Sequence, residues 1–306
     1  MAALKHIILD TDIGTDIDDH WALGMLLNIP GICIDLVLTA TANTPYRTAL
    51  AAKFLEEAGR SDVPVGTGLP GIHPAPELET LRTELDNCRA ERAKCRIVPN
   101  GLSEAVRIIE RNEETTIIAI APMTNLAALL KQRPELAAKC HLVAMAGSIR
   151  KNFRDKEGKV AEYNVISDIP AARLVFSGGW KTFTLTPLDH CGNLVLTGPP
   201  YQELLHSSLP VPTALIRCYR QWQAFYKNND NPALHSSILF DTAAVYLATD
   251  GSKVRYEEMK LSVDEQGYLA DDPRGRTVRV AMAWEDREAY LRRLADILLN
   301  RAVFSG

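Results

Sequence analysis

Short uninterrupted apolar runs alternate with segments of helical spacing through the first half of the chain. Residues 5–9 (KHIIL), 34–39 (IDLVLT), 63–68 (VPVGTG), 116–121 (TIIAIA) and 141–145 (HLVAM) predict strands. Between them, residues 18–28, 45–58, 101–111 and 123–131 predict helices. Asp18 and Asp19 suit the first turn of one helix, where the dipole favours anions, and Pro45 suits the start of the next. The strands lack polar alternation, as expected when both faces of a parallel sheet are covered. This order predicts an α/β fold with a mostly parallel sheet and helices on both faces, Rossmann-like in arrangement. Ligands in such folds bind beyond the carboxyl ends of the strands.

The second half is less regular. Residues 70–79 are proline-rich and read as a loop, and residues 80–96 carry charges at helical spacing, as a solvated helix face or an excursion does. Asp168 suits the amino cap of a helix over 169–177. Residues 211–227 predict a helix bearing aromatics, 254–263 and 277–283 a pair of late strands, and 285–300 an amphipathic helix. A single domain over 1–306, with insertions at about 70–100 and 200–235, is the expected organisation.

Composition narrows the function. The chain has 306 residues, with 34 basic and 38 acidic side chains and a formal net charge of −4. No basic excess points to nucleic acid. The amino terminus reaches Asp10 and Asp12 too soon for a secretion signal, and no run approaches the length of a membrane span. The six cysteines, Cys33, Cys88, Cys95, Cys140, Cys191 and Cys218, form no CxxC pair and read as reduced thiols. A cytoplasmic enzyme acting on a small molecule is expected, with neither nucleic-acid nor membrane partner.

The sharpest feature is ILDTDIGTDIDDHWAL, in which Asp10, Asp12, Asp16, Asp18 and Asp19 fall directly after the first strand. Without them, 33 acids face 34 bases, so this one loop accounts for the acidic surplus. Carboxylates at this density repel one another, and a hard cation with oxygen ligands relieves the repulsion. Gly14 permits a sharp turn between the two groups of acids. The competing reading is an acid-rich turn capping the next helix. An EF-hand loop counted from Asp10 needs glutamate where Trp21 stands. A dehalogenase-type phosphatase would begin with a DxD run like Asp10–Asp12, but no downstream lysine and paired-acid motif follows.

Asp10, Asp12, Gly14, Asp18, Asp19, Ala22 and Leu23 resemble the DxDxG…DDxxAL signature of the inosine/uridine-preferring nucleoside hydrolases. VLTATAN (37–43), VPVGTG (63–68), IAPMTNLA (120–127), AEYNVISDIPAA (161–172) and LFDTAAV (239–245) are similar to further segments of that family, in the same order. The resemblance implies the nucleoside hydrolase fold and calcium-dependent hydrolysis of the N-glycosidic bond of ribonucleosides, as in purine and pyrimidine salvage. It implies Asp12, Asp19, Asp241 and the Thr124 carbonyl as Ca2+ ligands, and Asp12 as general base. Asp18, Asn43, Glu162 and Asn164 would bind the ribose, and Asp10 would orient the loop from behind. The ribonucleoside would be the partner, with a homo-oligomer, dimer or tetramer, expected.

Two departures from the family pattern matter. The acid loop is longer by Thr15–Asp16, and Asp16 is expected to face water. Phe240 stands where well-studied members carry a histidine tied to protonation of the leaving base. His235, Tyr219, Trp222 and Tyr226 are the candidates for the leaving-base region, with His73 and His190 also available. A relative that binds metal and nucleoside with lost or altered catalysis is the alternative that Phe240 raises.

Overall fold

Ile7 and Leu9 belong to one hydrophobic core and Ile8 to the other, so the first strand is buried on both sides. The neighbouring strands repeat the division. Val37, Ile118 and Ile120 join Leu9, whereas Leu36, Leu38, Ile117 and Ala119 join Ile8. This two-sided burial is why the runs are continuously apolar. The computed structural model of the protein describes residues 4–72, 93–226 and 231–301.

The described strands are β1 (Lys5–Thr11), β2 (Ile32–Thr39), β3 (Val65–Gly66), β4 (Ile97–Val98), β5 (Thr115–Ile120), β6 (Cys140–Met145), β7 (Thr182–Thr186), β8 (Val254–Val263), β9 (Leu269–Asp271) and β10 (Arg276–Trp284). They form one 10-stranded sheet in the order β4-β3-β2-β1-β5-β6-β7-β10-β8-β9. Pairing is parallel from β4 through to β10, while β8 pairs antiparallel with β10 and β9. The expected mostly parallel α/β sheet is therefore present, with β8 and β9 adding an antiparallel edge. The run at 63–68 yields only the two residues Val65–Gly66 as strand, because proline and glycine interrupt it. β7, whose TFTLT sequence alternates polar and apolar residues, lay outside the sequence expectations. The charged segment at 80–96 falls mostly on residues 73–92, outside the described residues.

The described helices of eight or more residues are α1 (Asp18–Leu27), α2 (Thr44–Glu57), α3 (Gly101–Arg111), α4 (Thr124–Gln132), α5 (Ile169–Phe176), α6 (Gly198–Leu205), α7 (Pro210–Tyr226), α8 (Phe240–Thr249) and α9 (Arg287–Leu298). α1, α2, α7, α8 and α9 cover the Leu9 side, and α3, α4 and α5 cover the Ile8 side. All of α1 is buried. It is apolar nearly all round because it lies between the sheet and other helices. The expected insertion at 200–235 consists largely of α6 and α7. Among the described residues, no helix is long and apolar enough to cross a membrane, and Cys33, Cys95, Cys140, Cys191 and Cys218 are free.

The chain runs outward from β1 to β2, β3 and β4, then returns to place β5 on the other side of β1. That reversal opens a crevice at the carboxyl ends of β1 and β5. The acid loop follows β1, and Thr124 follows β5.

Candidate active site

A pocket of about 320 Å³ lies over this crevice, lined on one side by Asp12, Asp18, Asp19, Glu162, Asn164 and Asp241. Thr15, Asp16, Phe153, Tyr163, Trp222, Tyr226 and Phe240 form the rest of its polar rim and aromatic wall, over Ile120, Met145 and Leu188. The fold thus gathers carboxylates from the β1 loop, from the segment after β6 and from the start of α8. They lie as far apart in sequence as Asp12 and Asp241.

Asp18, Asp19 and Asp241 each bring a carboxylate oxygen within 4.8 Å of the others. All three are buried, at 3%, 2% and 4% exposure, and among the described residues none has a salt bridge to a base. Burial pushes all three carboxyls well above the ordinary range, helped by repulsion from nearby acids, Asp16 and Asp12 for Asp18, Asp12 and Asp18 for Asp19, and Asp18, Asp19 and Asp12 for Asp241. The Asp241 amide donates to Asp18 Oδ2 at 3.2 Å, and the Thr11 hydroxyl donates to Asp19. Oxygen ligands and dense negative charge, with no base bonded to it among the described residues, fit a hard divalent cation such as calcium. Asp12 faces the same pocket, 4% exposed, without belonging to this trio. Burial raises its carboxyl to about 6, against the pull of Arg47.

Glu162 is fixed by two backbone amides, accepting from Gly147 at 2.8 Å and from Asn164 at 2.8 Å. Burial raises it to about 7 despite those bonds. Asn164 donates to the Met145 carbonyl at 3.0 Å. Asp10 lies behind the loop, where burial holds its carboxyl at about 7.

Several other expected site residues are not among those lining this pocket. Asn43 caps α2, its side chain accepting the Tyr46 amide at 3.2 Å, and does not line the pocket. Thr124 opens α4 and turns its hydroxyl to Asp168 at 2.7 Å. Asp168 also accepts the Ala171 amide, so it is the helix cap expected of it. Tyr219 is fully buried, edge-on to Trp21, and is not among the residues lining the pocket. His235 bonds the adjacent Ser236 carbonyl and bridges to Thr197, away from the pocket. His190 is 1% exposed and stacks on Trp284. His73 lies outside the described residues. Trp222, Tyr226 and Phe240 do face the pocket, and Asp16 joins them at its rim, half-buried.

Sequence reasoning missed Arg47, whose guanidinium bonds the backbone of the acid loop. The available signal was a basic residue on the stripe Thr44, Arg47, Thr48, Ala51 and Leu55, which α2 buries. It also missed Phe153 and Tyr163, which sit on irregular segments with no periodicity to reveal a face. Asn125 reaches Asp10 and the end of β2.

The match to known proteins agrees with this geometry. The chain belongs to the inosine-uridine preferring nucleoside hydrolase family, whose model matches residues 7–297. It is 35% identical over 194 residues to the non-specific ribonucleoside hydrolase RihC of Salmonella paratyphi B, covering 58% of this chain and 60% of that protein. The match to the same protein of Salmonella newport is 34% identical over the same shares. The chain therefore spans about 60% of the length of the curated relatives it matches. A solved plant nucleoside hydrolase, PpNRh1, superposes with a TM-score of 0.76 at 23% identity, covering 96% of this chain and 99% of that one. An inosine-guanosine nucleoside hydrolase superposes with a TM-score of 0.78 at 18% identity, covering 97% and 99%.

Proposed function

We propose that the protein hydrolyses the N-glycosidic bond of ribonucleosides, giving ribose and a free base, with a divalent cation, calcium by its ligand chemistry. The observation that carries this reading is the convergence of Asp12, Asp18, Asp19, Asp241 and Glu162 on one pocket whose other wall is aromatic. The carboxylates suit a polyhydroxylated sugar and the aromatics suit a planar base.

Asp19 and Asp241 would hold the cation, with Asp18 beside them and Asp12 facing the same space. When bound, the cation supplies a Lewis acid that orders water and sugar hydroxyls. As the bond to the base breaks, positive charge develops at the anomeric carbon, and the surrounding carboxylates stabilise it. Asp12 takes a proton from the attacking water, whose oxygen bonds the anomeric carbon. The departing base keeps the bonding electron pair and takes a proton from solvent water. Asp12, buried and lining the pocket, would serve as that general base. Glu162 and Asn164, both locked by backbone bonds, are placed to orient the sugar.

Phe240 favours a second reading, a relative that binds nucleoside without turning it over, because no histidine lines the pocket among the described residues. Reducing-sugar release from inosine, uridine, cytidine, adenosine and guanosine, with and without chelator, separates the two. Hydrolysis lost to chelator and reduced about 10²–10⁴-fold by Asp12→Asn supports the enzyme. Saturable binding with no ribose from any substrate would favour the second reading.

A further inference from the structure

Arg47 is 4% exposed, an unusual state for arginine unless its donors are used. Its Nε donates to the Thr41 carbonyl at 2.7 Å. Its Nη1 donates to the carbonyls of Asp12 and Ile13, the latter at 3.0 Å, and its Nη2 to Thr15 Oγ1 at 2.7 Å. One planar fork therefore spans two loops. The first is the acid loop after β1. The second is the turn after β2 that leads to Asn43.

The turn after β2 is strained, whereas the acid loop makes its sharp bend on a glycine. Thr41 and Ala42 have φ of 72° and 54°, left-handed values that cost non-glycine residues energy. Gly14 has φ of 104°, and a Cβ there would lie 2.7 Å from Leu50 on α2. The acid loop thus passes close against α2 at Gly14, and Arg47, from the same helix, holds its carbonyls. Thr15 continues the connection, since its carbonyl accepts from Trp222 Nε1 at 3.3 Å and from the Tyr226 hydroxyl at 3.1 Å. Thr15 belongs to the stretch by which this loop exceeds the family pattern.

We propose that Arg47 is a positioning residue of this site. It clamps the acid loop to the turn after β2 and, through Thr15, sets the Trp222–Tyr226 wall against the carboxylates. Lysine cannot replace it, because an ammonium is a compact point charge and cannot span four acceptors lying on two loops. The kinetic consequence rests on the nucleoside hydrolase reading, whereas the clamp itself does not.

The test compares wild type, Arg47→Lys, Arg47→Met and Thr15→Val by amide hydrogen exchange of the metal-free proteins, by calorimetric calcium titration and by nucleoside turnover. Both Arg47 variants should exchange faster at residues 12–17 and 40–43, with strands β6 and β7 unchanged. Their calcium affinity should fall, and kcat should drop about 100-fold, the scale expected when reacting groups are misplaced by about 1 Å. Thr15→Val removes only the acceptor of Nη2. It frees the residue whose carbonyl holds Trp222 and Tyr226 but keeps the bonds of Arg47 to the Thr41, Asp12 and Ile13 carbonyls, so it should raise KM more than it lowers kcat. Arg47→Lys matching wild type in exchange and kcat would overturn the clamp, leaving only a charge. Should Arg47→Met fail to fold, the Lys and Val variants still decide. If wild type releases no ribose, the functional reading fails, while the exchange measurements still decide the clamp.

Discussion

Asn125, at the start of α4, donates its side-chain amide to Asp10 Oδ1 at 2.7 Å and ties the end of β5 to the end of β1. The same amide group donates to the Thr39 carbonyl at 3.1 Å and accepts from the Leu69 amide at 2.8 Å. Three segments around the crevice therefore meet on one side chain that is 1% exposed. Gly68 passes so close that a Cβ there would lie 2.1 Å from the Thr39 carbonyl. Asn125→Ala leaves buried donors and acceptors unpaired, and should cost about 3 kcal/mol. The check is urea denaturation, with a lower midpoint at unchanged slope. A cost under about 1 kcal/mol would mean that water takes over the bonds.

The buried acids make stability depend on both pH and metal. Asp10 and Glu162 are held at about 7 and Asp12 at about 6, all above their unfolded values. In the metal-free protein their contribution is fully present below about pH 4 and is lost as pH rises through 6 to 7. Bound calcium reverses the slope, because it requires the ionised carboxylates and competes with protons. The melting temperature of chelated protein should fall between pH 6.5 and 8.5, and saturating calcium should raise it more at pH 8.5. Differential scanning fluorimetry with and without chelator reads both. A larger calcium shift at the lower pH would contradict this placement of the charges.

The acid side has a different cause. His20 is fully buried in α1, edge-on to Phe54 at 5.4 Å, and neither ring nitrogen has a hydrogen-bond partner. Burial lowers its pKa to about 3. Below its unfolded value the unfolded chain takes up a proton that the fold refuses, so stability falls as pH drops from about 6.5 towards 3. By linkage this costs about 2 kcal/mol at pH 5. His20→Leu should flatten that part of the curve by about this amount in urea denaturation at pH 5 and 7. An unchanged acid limb would assign it to His190, which burial likewise lowers to about 3.

Legibility in the sequence followed the strength of local constraint. β1, β2, β5 and β6 are buried on both faces, so their unbroken apolar runs announced them, and the Asp-rich string marked the crevice. Asp18, Asp19 and Asp241 came from a motif resemblance that also ordered the segments along the chain, and the fold does bring their side chains together. β7 was not legible, because TFTLT alternates in a way that equally suits an exposed loop or half-buried strand. Tyr219 and Trp222 were inseparable as aromatics on one helix. Only tertiary packing turns Tyr219 into the core and Trp222 to the pocket. Arg47 was hidden because its partners are backbone carbonyls, which carry no sequence signal.

Phe240 bears on how the base departs. It opens α8 immediately before Asp241, faces the pocket, and meets Phe153 edge-on at 5.8 Å. A phenyl ring gives no proton, so turnover should depend on how readily the leaving group departs unaided. Para-nitrophenyl ribofuranoside, whose phenolate leaves without protonation, should be hydrolysed about 100-fold faster than inosine, the lower end of what general acid catalysis supplies. Phe240→His should raise the inosine rate about tenfold within that range and leave the nitrophenyl substrate unchanged, narrowing the ratio. Equal wild-type rates on the two substrates would instead require another donor on the pocket wall. Tyr226, whose hydroxyl is committed to the Thr15 carbonyl in this arrangement, is then the residue to change. Tyr226→Phe would lower the inosine rate alone if it releases that bond to protonate the base, and would leave both rates nearly equal if it serves only as wall.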